Sequence, residues 1–120
     1  MRELTFSPSA DQDIDSILDW SIEHFGEAAS SRYAILIYHC CELIRADPLG
    51  QSTHVSETTD FRLIHLKSGS RSAPPAARVK HPRHFILFRV VSESTIEISR
   101  VLHDRMNMGD HLPGAAPTGE

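Results

Sequence analysis

The chain has 120 residues, 40% hydrophobic and 23% charged, which fits one domain with one modest core and excludes multidomain enzymes, wholesale disorder and collagen-like structure. No run of about 18 uncharged apolar residues occurs, and the first ten residues carry Glu3 without the apolar stretch of a signal peptide, so a soluble cytoplasmic protein with no membrane partner is expected. The net charge of -4 hides an asymmetry: residues 1–60 hold three Lys/Arg against eleven Asp/Glu, a balance of -8, whereas residues 61–120 hold nine against five, a balance of +4.

Leu4 and Phe6 alternate with Glu3 and Thr5, the period-2 pattern of a short half-buried strand. Ser7-Pro8 stops it. Ser7 can cap a following helix with Pro8 in its first turn, where a missing N–H costs nothing, while Ser9 with Gln12 offers a competing capping box. Asp11, Asp13 and Asp15 then lie in the first turns and complement the positive end of the helix. Ile14, Ile17, Leu18 and Phe25 form its apolar stripe, with Trp20 and Ile22 at the margins, and Gly26 supplies a left-handed residue to end it. A second helix is predicted from about Glu27 to Ala46, where Tyr33, Leu36, Ile37, Cys40, Leu43 and Ile44 recur at spacings of three and four. With almost no linker between them, the two helices make an antiparallel hairpin. Asp47-Pro48-Leu49-Gly50 ends the second helix, because the residue before a proline is pushed out of the α region. Gln51 to Asp60 reads as a polar loop.

The remainder reads as strands: Phe61 to Leu66, His84 to Val91 and Thr95 to Leu102, the last two joined by Ser92-Glu93-Ser94, short enough for a hairpin. Lys67 to Pro82, rich in Ser, Ala, Pro and Arg and without periodicity, reads as an exposed or mobile loop. A single domain over 1–112 is followed by a tail, 113–120, with almost nothing to bury and therefore expected to be disordered. The order strand, two helices, three strands gives the α+β class, β-α-α-β-β-β, with the helical hairpin packed on one face of a mainly antiparallel sheet. The long helical crossover permits the first strand to pair in parallel there.

His39-Cys40-Cys41 is the densest group of metal-ligand types, but consecutive helical residues point about 100° apart and do not converge on one ion. Cys40 continues the apolar stripe and reads as core, and two adjacent cysteines cannot staple distant segments. His81 and His84 are three apart across a proline, a weak ligand pair. No Gly-rich phosphate loop, G-x-S-x-G elbow or H-E-x-x-H occurs. No metal and no cofactor is expected.

Basic side chains near strand ends stand out: Arg78, Lys80, Arg83, Arg89, Arg100 and Arg105, with His84 and His103 among them. Residues 61–105 hold nine Lys/Arg and only Glu93, Glu97 and Asp104, a local balance of +6. Arginines held by a rigid sheet can grip a phosphate or receive the carboxylates of a partner protein. In the competing reading Arg89 and Arg100 pair with the helix carboxylates, and the two halves attract each other within the fold. A pI near 6.0 argues against direct nucleic-acid binding. RNA cleavage would need a base and an acid beside the arginines. His84 and His103 with Arg83, Arg100 and Arg105 are the candidate set, but no tyrosine follows Tyr38 and only Lys67 and Lys80 are lysines.

Four local marks occur in order. They are Phe6-Ser7-Pro8-Ser9-Ala10-Asp11-Gln12-Asp13-Ile14 with Ile17, Asp47-Pro48-Leu49-Gly50, Pro82-Arg83-His84-Phe85-Ile86-Leu87-Phe88-Arg89-Val90, and Ile98-Ser99-Arg100-Val101-Leu102-His103-Asp104-Arg105-Met106. In these the chain resembles, from about Leu4 to Leu112, the ParE branch of the ParE/RelE superfamily of type II toxin–antitoxin modules, the closing Leu-His-x-Arg-Met being the most telling. The resemblance implies the same fold and a toxin that inhibits DNA gyrase by binding rather than by its own catalysis. It also implies neutralisation by a ParD-like antitoxin in a toxin–antitoxin hetero-oligomer, the antitoxin's C-terminal segment folding onto the toxin. By charge, Arg78, Arg83, Arg89, Arg100 and Arg105 are then expected to meet antitoxin or target carboxylates, with apolar anchors filling a groove. RelE-like relatives instead cut messenger RNA on the ribosome, and a ribosome-dependent endoribonuclease is the enzymatic alternative; a degenerate toxin that only binds antitoxin is a third. The chain departs from the family in the Lys67 to Pro82 insert and in a strongly acidic first helix.

Overall fold

Leu4 and Phe6 enter a sheet as their alternation requires: in the computed structural model, which describes residues 2–55 and 57–105, strand β1 spans Glu3–Phe6. Helix α1, Pro8–Phe25, begins where Ser7 Oγ accepts the Ala10 amide at 3.0 Å. The same hydroxyl donates to the Ser99 carbonyl at 2.7 Å, so one side chain caps the helix and ties its start to the sheet. Ser7 therefore takes the role that Ser9 competed for. Ala10, Ile14 and Ser21 are buried, whereas Phe25, expected in the stripe, is 69% exposed because it lies beyond the last turn that covers the core.

Gly26 both ends α1 and opens α2, Glu27–Ala46, with φ 92° and ψ 170°. Its φ is positive as expected, but its ψ is extended and lies outside the left-handed helical well, a conformation open essentially to glycine alone. Leu36, Ile37, Cys40 and Ile44 are buried along the predicted stripe, and Cys41 joins them. Ser30 Oγ donates to the Leu18 carbonyl at 2.9 Å and links the two helices close to their turn.

Strands β2 (Thr53–His54), β3 (Phe61–His65), β4 (His84–Ser92) and β5 (Thr95–His103) complete a five-stranded sheet of order β1-β5-β4-β3-β2. β1 runs parallel to β5, and every other pair is antiparallel. The β1-β5-β4 part of the sheet thus matches the expected hairpin and parallel crossover, while β2 falls in the segment read as loop. Both β2 residues are exposed and polar, so no apolar alternation marks them. Ile86, Phe88, Ile96, Ile98 and Val101 meet the inner faces of α1 and α2 in one core, each contributing roughly 1.5–3 kcal/mol by leaving water.

The largest correction concerns Lys67 to Pro82. The chain there is not an open loop but a short helix, α3 (Leu66–Ser70), and a 3-10 turn (Pro75–Ala77), both packed on α2. Leu66, Gly69, Ala73 and Ala77 are buried. Arg32 donates to the Pro75 carbonyl at 2.8 Å, and Ser70 Oγ accepts the Val79 amide while donating to the Val79 carbonyl. Small side chains let the backbone approach α2 closely, and such packing leaves no periodic stripe. The expected domain end at 112 and tail 113–120 lie outside the described residues.

Candidate functional site

The antiparallel register gathers histidines from three strands at one end of the sheet. His84 at the start of β4 is paired with His103 at the end of β5, and His65 of β3 is paired with Phe85. The His84 and His103 rings meet edge to face at 5.2 Å. Tyr33 reaches this end from α2. Its hydroxyl accepts the Arg83 amide at 3.1 Å and is hydrogen-bonded to His84 Nδ1 at 2.6 Å. Burial pushes the Tyr33 phenol up to about 12 and, helped by the neighbouring His103, pushes His84 down to about 4.

Asp104 closes the cluster. Its amide donates to the Arg83 carbonyl at 2.8 Å, extending the β4–β5 pairing by one step. His65 Nε2 donates to Oδ2 at 3.2 Å, while the Arg83 guanidinium and His103 Nδ1 lie 3.3 and 3.5 Å from Oδ1. Burial favours the protonated carboxyl, but the His65 hydrogen bond and the charge of Arg83 outweigh it and hold Asp104 below the usual carboxylate range. His65 Nδ1 meanwhile accepts the Lys67 amide and caps α3, and His103 Nδ1 accepts the Arg105 amide at 3.1 Å. Of the residues named from sequence, the fold brings together Arg83, His84, His103 and Arg105.

The other arginines are engaged elsewhere. Arg100 forms a two-pronged pair with Asp13 of α1, at 2.7 and 2.9 Å, and Asp13 also accepts the Val101 amide at 3.0 Å. Arg89 sits opposite Glu97 in the sheet, 3.2 Å from its carboxylate, and its guanidinium lies 5.9 Å from the centre of the Phe61 ring. Arg78 donates to the Ala73 carbonyl at 3.1 Å within the segment after α3. Arg83, Arg105, Arg89 and Arg78 are exposed, whereas Arg100 is half-buried.

Tyr33, His65 and Asp104 are the members of the cluster that sequence reasoning missed. Tyr33 reads as one more apolar position of the α2 stripe, and Asp104 as the variable residue of Leu-His-x-Arg-Met. A signal was present: Asp104 is the single acid inside the basic stretch from Lys67 to Arg105 apart from Glu93 and Glu97, so a local charge partner for the neighbouring histidine and arginines could have been sought there. The thiols of Cys40 and Cys41 are raised to about 12 by burial and are inert as nucleophiles or ligands in this state. Among the described residues no group of three His, Cys, Asp or Glu side chains is placed to hold a metal ion, and no helix is long and apolar enough to cross a membrane.

Comparison with known proteins agrees with this architecture. The family model for the ParE toxin of the type II toxin-antitoxin system, parDE, matches residues 4–108. Toxin ParE1 of Mycobacterium tuberculosis, from strain H37Rv and identically from strain CDC 1551, is 24% identical over 106 residues, which is 88% of this chain and 93% of the relative. A solved chain of the chromosomal ParDE TA system from P. aeruginosa superposes with a TM-score of 0.64 at 17% identity, covering 86% of this chain and 96% of the other.

Proposed function

The chain belongs to the ParE toxin family of type II toxin–antitoxin systems, and from that premise we propose that it inhibits DNA gyrase by binding, in the cytoplasm, until a ParD-like antitoxin neutralises it. One observation carries the binding reading against a catalytic one: two of the groups a ribonuclease would draw on are committed to the fold. Arg100 is clamped by Asp13, and His84 is held neutral with Nδ1 taken by Tyr33. Arg83 and Arg105 remain exposed at the sheet end, where they can receive antitoxin carboxylates.

The experiment is induced expression without antitoxin, followed by supercoiling and DNA-cleavage assays with purified gyrase. Growth arrest with inhibited supercoiling or trapped cleaved DNA supports the reading. Normal gyrase activity at excess toxin sinks it. A ribosome-dependent endoribonuclease stays in view for a specific reason, the convergence of His84, His103 and Arg83. Transcript ends mapped after induction separate the two, because that enzyme leaves cuts at ribosome-occupied codons. A chain that only binds antitoxin would arrest nothing.

A further inference from the structure

The outer face of the helical hairpin, turned away from the sheet, combines exposed apolar side chains with an unpaired acidic rim. At about 100° per residue, positions four apart drift by only about 40°, so Asp11, Asp15, Asp19 and Glu23 form one ridge along α1. All four are exposed, and among the described residues none has an ion-pair partner. Ile22, 44% exposed, lies three residues from Asp19 and seven from Asp15 on the same side. On α2, Ile35 is 45% and Tyr38 48% exposed. Together with Ala34, His39, Glu42 and Pro74 they line an open groove of about 430 Å³. Tyr38 belongs to the same surface as the ridge, since Asp11 and Asp15 are close enough to act on its phenol, although burial is the larger cause of its raised pKa.

The charge of this face selects its occupant. Each carboxylate of the ridge faces another at i+4, an arrangement that repels and costs helix stability, with no cation paired to it among the described residues. An acidic antitoxin segment would be repelled here and drawn to the exposed arginines at the end of the sheet. A partner that brings cations to the rim and apolar groups to the groove would gain on both counts. Carboxylates about 6 Å apart along the helix axis also make a line of evenly spaced negative charge, the feature that basic nucleic-acid-binding surfaces are built to follow.

We infer that the Asp11-Asp15-Asp19-Glu23 ridge and the adjoining Ile35–Tyr38 groove form the target-docking face of the toxin, occupied by a basic, DNA-binding surface of the target protein. The inference rests on the gyrase reading for the name of the target and on this face alone for the chemistry. The toxin then has two faces of opposite sign, a basic sheet end for the antitoxin and an acidic hairpin for the target.

The test uses the full-length toxin, the double variant Asp15→Lys/Asp19→Lys and, separately, Ile35→Ser. These positions are exposed, and the charge reversal relieves repulsion on α1, so in a thermal scan the double variant should unfold at or above the wild-type midpoint and Ile35→Ser slightly below it. The expected result is a loss of tenfold or more in gyrase inhibition and loss of growth arrest for the double variant, with a smaller loss for Ile35→Ser. Wild-type binding to purified gyrase should weaken as salt rises and as duplex DNA is added in competition. Undiminished inhibition by both folded variants overturns the proposal. So does a variant that stays toxic but escapes the co-expressed antitoxin, because the face would then belong to the antitoxin. If the wild type arrests growth yet leaves gyrase untouched, the gyrase reading fails by itself; loss of arrest in the variants then still supports the docking face, and retained arrest overturns it.

Discussion

Asp13 accepts three hydrogen bonds, two from the Arg100 guanidinium and one from the Val101 amide, and so fastens α1 to the end of β5. The pair is only partly exposed, with 26% of Arg100 and 16% of Asp13 side chain open to solvent, and it is charge-assisted and two-pronged. Asp13→Ala should therefore lower the unfolding free energy by about 2 kcal/mol, measured by urea titration. Arg100→Ala should cost a similar amount, and the double variant should cost less than the sum. Additive losses would mean that the two residues stabilise the fold independently. A second residue-scale consequence follows from His84. Its folded pKa of about 4 lies below the ordinary value of 6.5, so the unfolded chain binds the proton more tightly. Stability is complete above pH 6.5 and is lost as pH falls towards 4. With the ring still reached by solvent, the loss should be about 1–2 kcal/mol. His84→Gln, whose side-chain amide can still hydrogen-bond to Tyr33, should flatten urea-unfolding stability across that window. Asp104, held low, contributes in a separate window: its stabilisation persists until pH falls below the ordinary carboxylate range.

At the scale of elements, α3 is fitted to α2 through one glycine. A Cβ placed on Gly69 would overlap Cys40 Sγ inside van der Waals contact, with Leu43 close behind, so Gly69→Ala should destabilise the protein by about 1–3 kcal/mol. Because the obstacle is a single sulfur, Cys40→Ala should restore part of that loss in the Gly69→Ala background while destabilising the wild type. Thermal midpoints of the four proteins give the coupling, and absence of any rescue would place the strain in the backbone instead. The same contact explains what could be read from the sequence. α1, α2, β4 and β5 carry their apolar positions at spacings of two, three or four, and Ser7-Pro8 and Asp47-Pro48 punctuate them through backbone chemistry, so their order and ends were legible. α3 and the turn after it bury Gly69, Ala73 and Ala77, residues whose small size serves close approach and which in a list of residues look like loop. β2 is two exposed polar residues held by pairing alone. Within the site, Arg83, His84, His103 and Arg105 could be named because they are neighbours along two adjoining strand ends. Tyr33 joins them from 50 residues away, and only the packing of α2 over the sheet brings it there.

On the scale of the whole molecule, the charge asymmetry resolves into two parts, and each part makes its own prediction for the antitoxin. Some of the attraction between the acidic and basic halves is spent within the fold, since Arg100 faces Asp13 across the helix–sheet boundary. Arg89 is matched within the sheet by Glu97 and covers Phe61. Arg83 shares Asp104 with His65 and His103, and half of its side chain remains open to solvent. Arg105 is exposed, its backbone amide tied to His103. The five arginines expected to meet carboxylates are therefore unequal. Changing Arg83 to Gln and Arg105 to Glu removes accessible positive charge without setting a like charge against Asp104, which keeps its His65 hydrogen bond. It should slow antitoxin association by about tenfold at low salt and reduce the salt dependence of the on-rate. Reversing Arg100 acts differently: Asp13 would face a like charge at a half-buried site, so the fold should weaken before any binding defect can be read. Stopped-flow association at two salt concentrations, with urea unfolding of each free toxin, separates these outcomes. An Arg83/Arg105 variant that folds normally yet associates at the wild-type rate and with the wild-type salt slope would remove the sheet end from the antitoxin interface. Its positive charge would then serve the fold alone, through Asp104.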